Sequence, residues 1–323
     1  MNVVKGISIA VAAGVVSALA ALAFLAASPL ALVFVYVAPL PLFLVGLSLG
    51  PGAGIVAGAS GVATAGALGG VVAAIMYAFI HALPACLASR QALARRLGPD
   101  GAPGWYPPGA ILCTLSLLAG AALVLSSIAG NLFDSGTEAI VASHLDRGFR
   151  IMVPQLGSAE RAAVVERLAP MFPGAVGASW MMMAIVNGLV AQSLLARMGL
   201  SQRPRLPFAD LWLPAWASWP LVGFALVSLL GADELRYLGR NGAMIAAVPY
   251  FLMGLAVTHA VAGWRGLPVL PLVAFYLVVV ISDWAKLLVA GVGVAEHWVG
   301  LRSRLPGRSP ARRPGGSSGD GSV

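Results

Sequence analysis

GLSLGPGAGIVAGASGVATAGALGGVVAAIMYAFIHALPACLASRQALARR, residues 46–96, stays apolar and uncharged up to Arg90 while carrying glycine at helical spacing. Gly50, Gly54 and Gly58 recur every four residues, and Gly66 and Gly70 repeat the interval. In water such a helix would be poor, because each interior glycine costs about 1 kcal/mol against alanine. In lipid the same glycines let backbones approach closely, and packing is what holds membrane helices together. The stretch reads as two short membrane helices, 52–68 and 70–88, packed at the centre of a bundle.

Composition supports that reading. With 59% hydrophobic and 10% charged residues and a mean hydropathy of +0.89, the 323-residue chain lacks the polar surface a soluble globule needs. An all-α, polytopic transmembrane bundle of about eight or nine spans follows, occupying 1–300, with the bilayer as its first partner. The net charge of +8 sits between apolar runs and in the tail, where membrane orientation accounts for it, so no nucleic-acid partner is expected. Cys86 and Cys113 lack metal-ligand spacing and lie in apolar runs; neither a disulfide framework, a metal site nor any other cofactor is indicated.

From the N-terminus, 7–27 is too long for a signal core and reads as a retained helix. Ala10, Gly14 and Ala18 form a small-residue stripe on it, suited to packing within the chain or to docking a partner helix. Pro39 and Pro41 break the next span, 30–49, and free carbonyls that protein or water must satisfy, which favours a cavity beside it. Arg90, Arg95 and Arg96 then mark a cytoplasmic loop.

After the span 110–130, residues 131–170 leave the bilayer. Val141, Leu145, Phe149 and Met152 make an apolar stripe with charged residues off it, an amphipathic surface helix. Ser158 with Glu160 starts a second helix that ends before Pro170. Further spans are read at 172–198, 208–230 and 244–262, with Arg203 and Arg205 inside and Asp233, Glu234, Arg236 and Arg240 in a short outside loop. The last apolar run, 267–299, is either one span or two half-spans broken near Ser282-Asp283. Residues 301–323, rich in Pro, Gly, Ser and Arg, form a disordered basic tail.

No HExxH motif or Walker A loop occurs, so an enzyme is not expected. Polar groups within apolar runs carry the information, because at membrane depth they are costly and face a cavity or a partner. Tyr77, His81, Asn187, Gln192, His259 and Asp283 are the candidates for a solute cavity. Tyr77 and His81 share a helix face, and Asp283 pairs with Lys286 at i, i+3.

Two segments add a resemblance. Residues 249–259, PYFLMGLAVTH, and 293–302, GVAEHWVGLR, are similar to segments of the YybS-like family of uncharacterised bacterial membrane proteins (domain of unknown function 2232). That family's helical layout is similar to the substrate-binding S components of energy-coupling factor transporters. The resemblance implies a multi-pass protein of the bacterial inner membrane that binds or translocates a small solute. A membrane coupling subunit and ATPases would then be partners, with Ala10, Gly14 and Ala18 as a docking face. The competing reading is a non-transport scaffold or assembly protein.

Overall fold

A computed structural model describes residues 3–26, 29–97, 103–131 and 136–304; the tail beyond 304 lies outside the described residues. The chain is an all-α membrane bundle. Helix α1, Val3–Leu22, is followed by α2, Pro29–Val37, and α3, Leu40–Leu49. The break between α2 and α3 falls at the two prolines, where Ala38 N–H turns back to Val35 C=O at 3.3 Å. Helix α4, Pro51–Tyr77, runs into a π-helical turn, Ala78–Ala82, and then α5, Leu83–Leu93.

Helix α4 is not straight. Gly70 has φ +79° and ψ −179°, a conformation outside helical space and open in practice only to glycine. Beyond it the chain folds back on itself. A Cβ added at Gly66 would lie 3.3 Å from Ala74 Cβ, one at Gly58 3.1 Å from Cys86 Sγ, and one at Gly61 would enter the Tyr77 ring. The segment is therefore an antiparallel hairpin of two crossings. Gly50, φ +99° and ψ 172°, makes the equally sharp corner from α3 into α4. Gly54 approaches Gly46 Cα, with an added Cβ only 3.2 Å away. The glycines thus divide into two roles. Gly54, Gly58 and Gly66 are close-approach positions, whereas an added Cβ at Gly50 or Gly70 meets nothing within 4 Å, so these two serve the turns and not the packing expected of them.

Helix α1 lies along the first half of this hairpin, with Ala10, Gly14 and Ala18 buried in the contact. A Cβ at Gly14 would collide with Ser60 Oγ and the Ala57 carbonyl. The stripe is thus filled by α4 and unavailable as a docking face.

A two-stranded hairpin, β1 Arg95–Leu97 with β2 Pro103–Trp105, leads to α6, Pro108–Asn131. Next come α7, Thr137–Met152, and α8, Ser158–Leu168, followed by α9, Phe172–Arg197. Then follow α10, Ser218–Leu230; α11, Asp233–Trp264; α12, Val269–Ile281; and α13, Asp283–Val299. The expected span at 208–230 is half irregular: Pro204, Pro207 and Pro214 hold its first part in extended backbone and short 3-10 turns. Asp233, Glu234, Arg236 and Arg240, expected in a loop, form the first turns of α11, where the two acids suit the helix N-terminus.

Among the described membrane-length helices α11 is the most enclosed, with 67% of its apolar stretch buried against 33% for the Pro51–Leu93 hairpin, so α11 and not the glycine hairpin is the centre of the bundle. Small residues explain this. Gly239 faces the Ser228 backbone, Gly242 the Phe224 ring and Gly254 the Val289 carbonyl, so α10 and α13 close on α11 at backbone distance. Among the described residues six helices are long and apolar enough to cross a membrane, or seven if the bent α12–α13 pair is one span. Resolving the Gly70 hairpin into two crossings raises either count by one. The α12–α13 break falls at Ser282 with a bend of 112°, and Ser282 Oγ caps α13 by accepting from Ala285 N–H at 3.3 Å.

Candidate functional site

The breaks in the chain gather polar side chains. Tyr77 O–H donates to Ser17 Oγ at 2.7 Å, and Ser17 in turn donates to the Ala38 carbonyl at 2.6 Å, beside the Pro39 break. Asn187 Nδ2 donates to the Tyr36 carbonyl on the other flank of that break, at 2.7 Å, and to Met183 C=O in its own helix at 2.8 Å. Trp180 Nε1 donates to Ile80 C=O at 2.9 Å. Four residues after Ile80 stands Pro84, whose missing N–H leaves that carbonyl without its usual helical donor. The hydroxyls of Tyr36 and Ser179 are hydrogen-bonded to one another. Helix α9 thus supplies Ser179, Trp180 and Asn187 to the backbone interruptions of α2–α3 and α4–α5.

His81 sits in the π-helical turn, 4% exposed, its ring 5.5 Å from that of Tyr77. Its Nδ1 is buried and has no hydrogen-bond partner. Tyr77, His81 and, through the α2–α3 break, Asn187 therefore belong to one polar node. The Tyr36 and Ala38 carbonyls at the α2–α3 break and the Ile80 carbonyl before Pro84 are met there by protein side chains, and the node is closed in place of the expected cavity.

The other candidates lie elsewhere. Gln192 Nε2 donates to Ser201 Oγ at 2.7 Å and to Arg203 C=O at 2.8 Å, pinning the loop after α9. His259 Nε2 is 2.7 Å from Tyr276 Oη, with Phe208 edge-on at 5.5 Å between ring centroids. Asp283, 92% exposed in its side chain, accepts from Lys286 Nζ at 2.7 Å. Their hydrogen bonds run to Ser201 and Arg203, to Tyr276 and to Lys286, and none of these reaches the residues around His81. An apolar groove of about 210 Å³ lies between α1 and the α3–α4 corner, lined among others by Ile7, Ala10, Leu49 and Val56.

Sequence reasoning missed Trp180 and Ser179 as partners of the node. The available signal for Trp180 was Pro84, which orphans a carbonyl four residues upstream. Ser17 gives no such signal, since it stands among small apolar residues in the first helix.

A family model described as a predicted membrane protein, DUF2232, matches residues 15–296. The chain belongs to the DUF2232 family. The match runs from within α1 to the last turn of α13, so the node, the α7–α8 pair and the bent α12–α13 pair are all parts of the DUF2232 region. Neither a curated protein nor a solved structure matches the chain.

Proposed function

We propose that this integral membrane protein binds a small solute and moves it with the help of partners, in the manner of an energy-coupling factor S component, and is not itself an enzyme. The observation that carries the reading is His81, a buried imidazole in a π-helical turn with Nδ1 unpaired. Broken helices that meet inside a bundle are where transporters build substrate sites, and π-helical turns inside α-helices mark functional positions. A buried ring nitrogen without a partner is costly, and a solute that supplied the missing hydrogen bond would recover that cost. The chain carries no Walker A loop, so an ATP-driven cycle would need a separate membrane coupling subunit and ATPases. The resemblance of residues 249–259 and 293–302 to YybS-like segments points the same way, and we place the protein in a bacterial inner membrane on that resemblance.

A second reading has its own observation. Tyr77 and Asn187 give their donors to Ser17 and to protein carbonyls, and a bundle closed in this way suits a scaffold or assembly protein. Mass spectrometry of small molecules retained by gently purified protein separates the two. A solute held by the parent and lost from H81F supports solute binding. Empty parent protein, together with stable association with other membrane proteins, supports the scaffold.

A further inference from the structure

At the arginine-rich end of the bundle the guanidinium of Arg203 is built in with a donor left over. Arg203, in the loop after α9, is 8% exposed. Its backbone carbonyl is held by Gln192 and by Ser201 Oγ at 2.6 Å, and the neighbouring Gln202 donates to Ser48 C=O at 2.6 Å. Its Nη1 donates to Ala92 C=O at 3.1 Å, at the end of α5. Its Nη2 is buried with no hydrogen-bond partner. Burial lowers the pKa of this guanidinium, yet arginine keeps its proton at any ordinary pH, so a charge stands here with a donor unused.

A second arginine converges on the same place. Arg95 and Arg203 pack against one indole, their guanidinium carbons 4.7 and 6.0 Å from the Trp105 ring centroid. Arg96 stacks on Tyr106 at 4.7 Å. Arg95 and Trp105 are also register partners in the β1–β2 hairpin. Leaving a buried charge unmatched is expensive, and proteins that fix a guanidinium with a free edge use it for planar, bidentate recognition of carboxylate or phosphate.

We propose that Arg203 and Arg95, gathered around Trp105, form a binding site for a phosphoryl group. Arg203 supplies the fixed, dry donor edge and Arg95 the exposed entry charge. The ligand reaches Nη2 by displacing the indole, which is carried on strands paired over only three positions each, Arg95–Leu97 and Pro103–Trp105. The phosphoryl group comes either from an anionic lipid headgroup or from a free phosphate-bearing solute. The site is separate from the His81 node and stands or falls independently of it.

The test uses full-length protein in maltoside micelles, which contain no phosphate. Thermal melting is followed on addition of inorganic phosphate in one arm and of phosphatidylglycerol in the other, each against chloride of equal ionic strength. The parent is expected to melt several degrees higher in at least one arm. R95Q, an exposed position that leaves the Arg203 anchor intact, should lose most of the shift, and R203K should reduce it because a point charge replaces the fork. A shift with phosphate assigns a free solute, and a shift with the lipid alone assigns the headgroup. No shift in either arm, or equal shifts in parent, R95Q and R203K, would overturn the proposal.

Discussion

Cys86 Sγ lies 3.3 Å from the carbonyl oxygen of Gly54, 32 residues earlier in a stretch that is helical almost throughout. A straight helix would separate the two by about 48 Å at 1.5 Å per residue. The fold-back at Gly70 closes that distance, and the glycines facing across it let the two halves touch.

Gly70→Ala should therefore destabilise the bundle by about 1–3 kcal/mol, the cost of forcing a side chain into backbone space reserved for glycine. Gly52→Ala is the control, since an added Cβ there meets nothing and its backbone has no positive φ. Detergent melting compares the two, and equal melting would mean that the corner at Gly70 is not held as described.

The apolar periodicity made the membrane class legible, and the prolines at 39 and 41 marked a real break, because both signals are local. The central position of α11 was not legible. It depends on which helices close on Gly239, Gly242 and Gly254, a long-range choice that glycine spacing on another segment suggested wrongly. The node was half legible. Tyr77 and His81 share a face in any helix, but Ser17 and Trp180 join them only through breaks in other helices. Gln192, His259 and Asp283 were grouped with them on polarity alone, and polarity does not specify depth or neighbour.

Removing the carboxylate of Glu296 should unfasten the end of α13. Arg302 Nε and its backbone N–H each donate to Glu296 at 2.9 Å, Nη2 donates to Leu211 C=O at 2.7 Å, and Nη1 bonds Ala209 C=O. Both side chains are about nine-tenths buried. E296Q strands the guanidinium and should cost about 3–5 kcal/mol, whereas E296L/R302M, which removes both partners, should recover most of it. Melting of the two variants checks the pair. A double variant as unstable as E296Q would show that the carbonyl contacts, and not the ion pair, hold the clasp.

The same clasp fixes a side. Arg302 reaches the 209–211 segment that follows Arg203 and Arg205, so the chain leaves α13 at the arginine-rich end. A single cysteine at Ser303 and one at Ser201 should be labelled from the same side of sealed vesicles. Labelling from opposite sides would contradict the bent α12–α13 arrangement.

Asp146 joins α7 to α8 by accepting from Arg161 Nε at 2.6 Å and also pairs with Arg150. The Arg161 hydrogen bond, assisted by Arg150, holds its carboxyl below the usual aspartate range. A carboxyl depressed in the folded state contributes stability above its unfolded pKa and loses it as pH falls through the folded value. Protection of the α8 amides, taken relative to intrinsic exchange at each pH, should therefore fall on acidification below the ordinary aspartate range, and D146N should show the lowered protection already at neutral pH. Equal protection of parent and D146N at neutral pH would remove this pair from the account.

The solute-binding reading requires the closed node around His81, which is 4% exposed, to open to water in the membrane. The direct measurement is the reactivity of H81C, in a C86A/C113A background reconstituted in lipid, towards a small water-soluble thiol reagent. Cys113 of the parent, buried at 3% exposure, is the reference. The account predicts that H81C is modified, and that the small-molecule fraction of a cell extract slows the reaction. An H81C thiol as inert as Cys113 would contradict it.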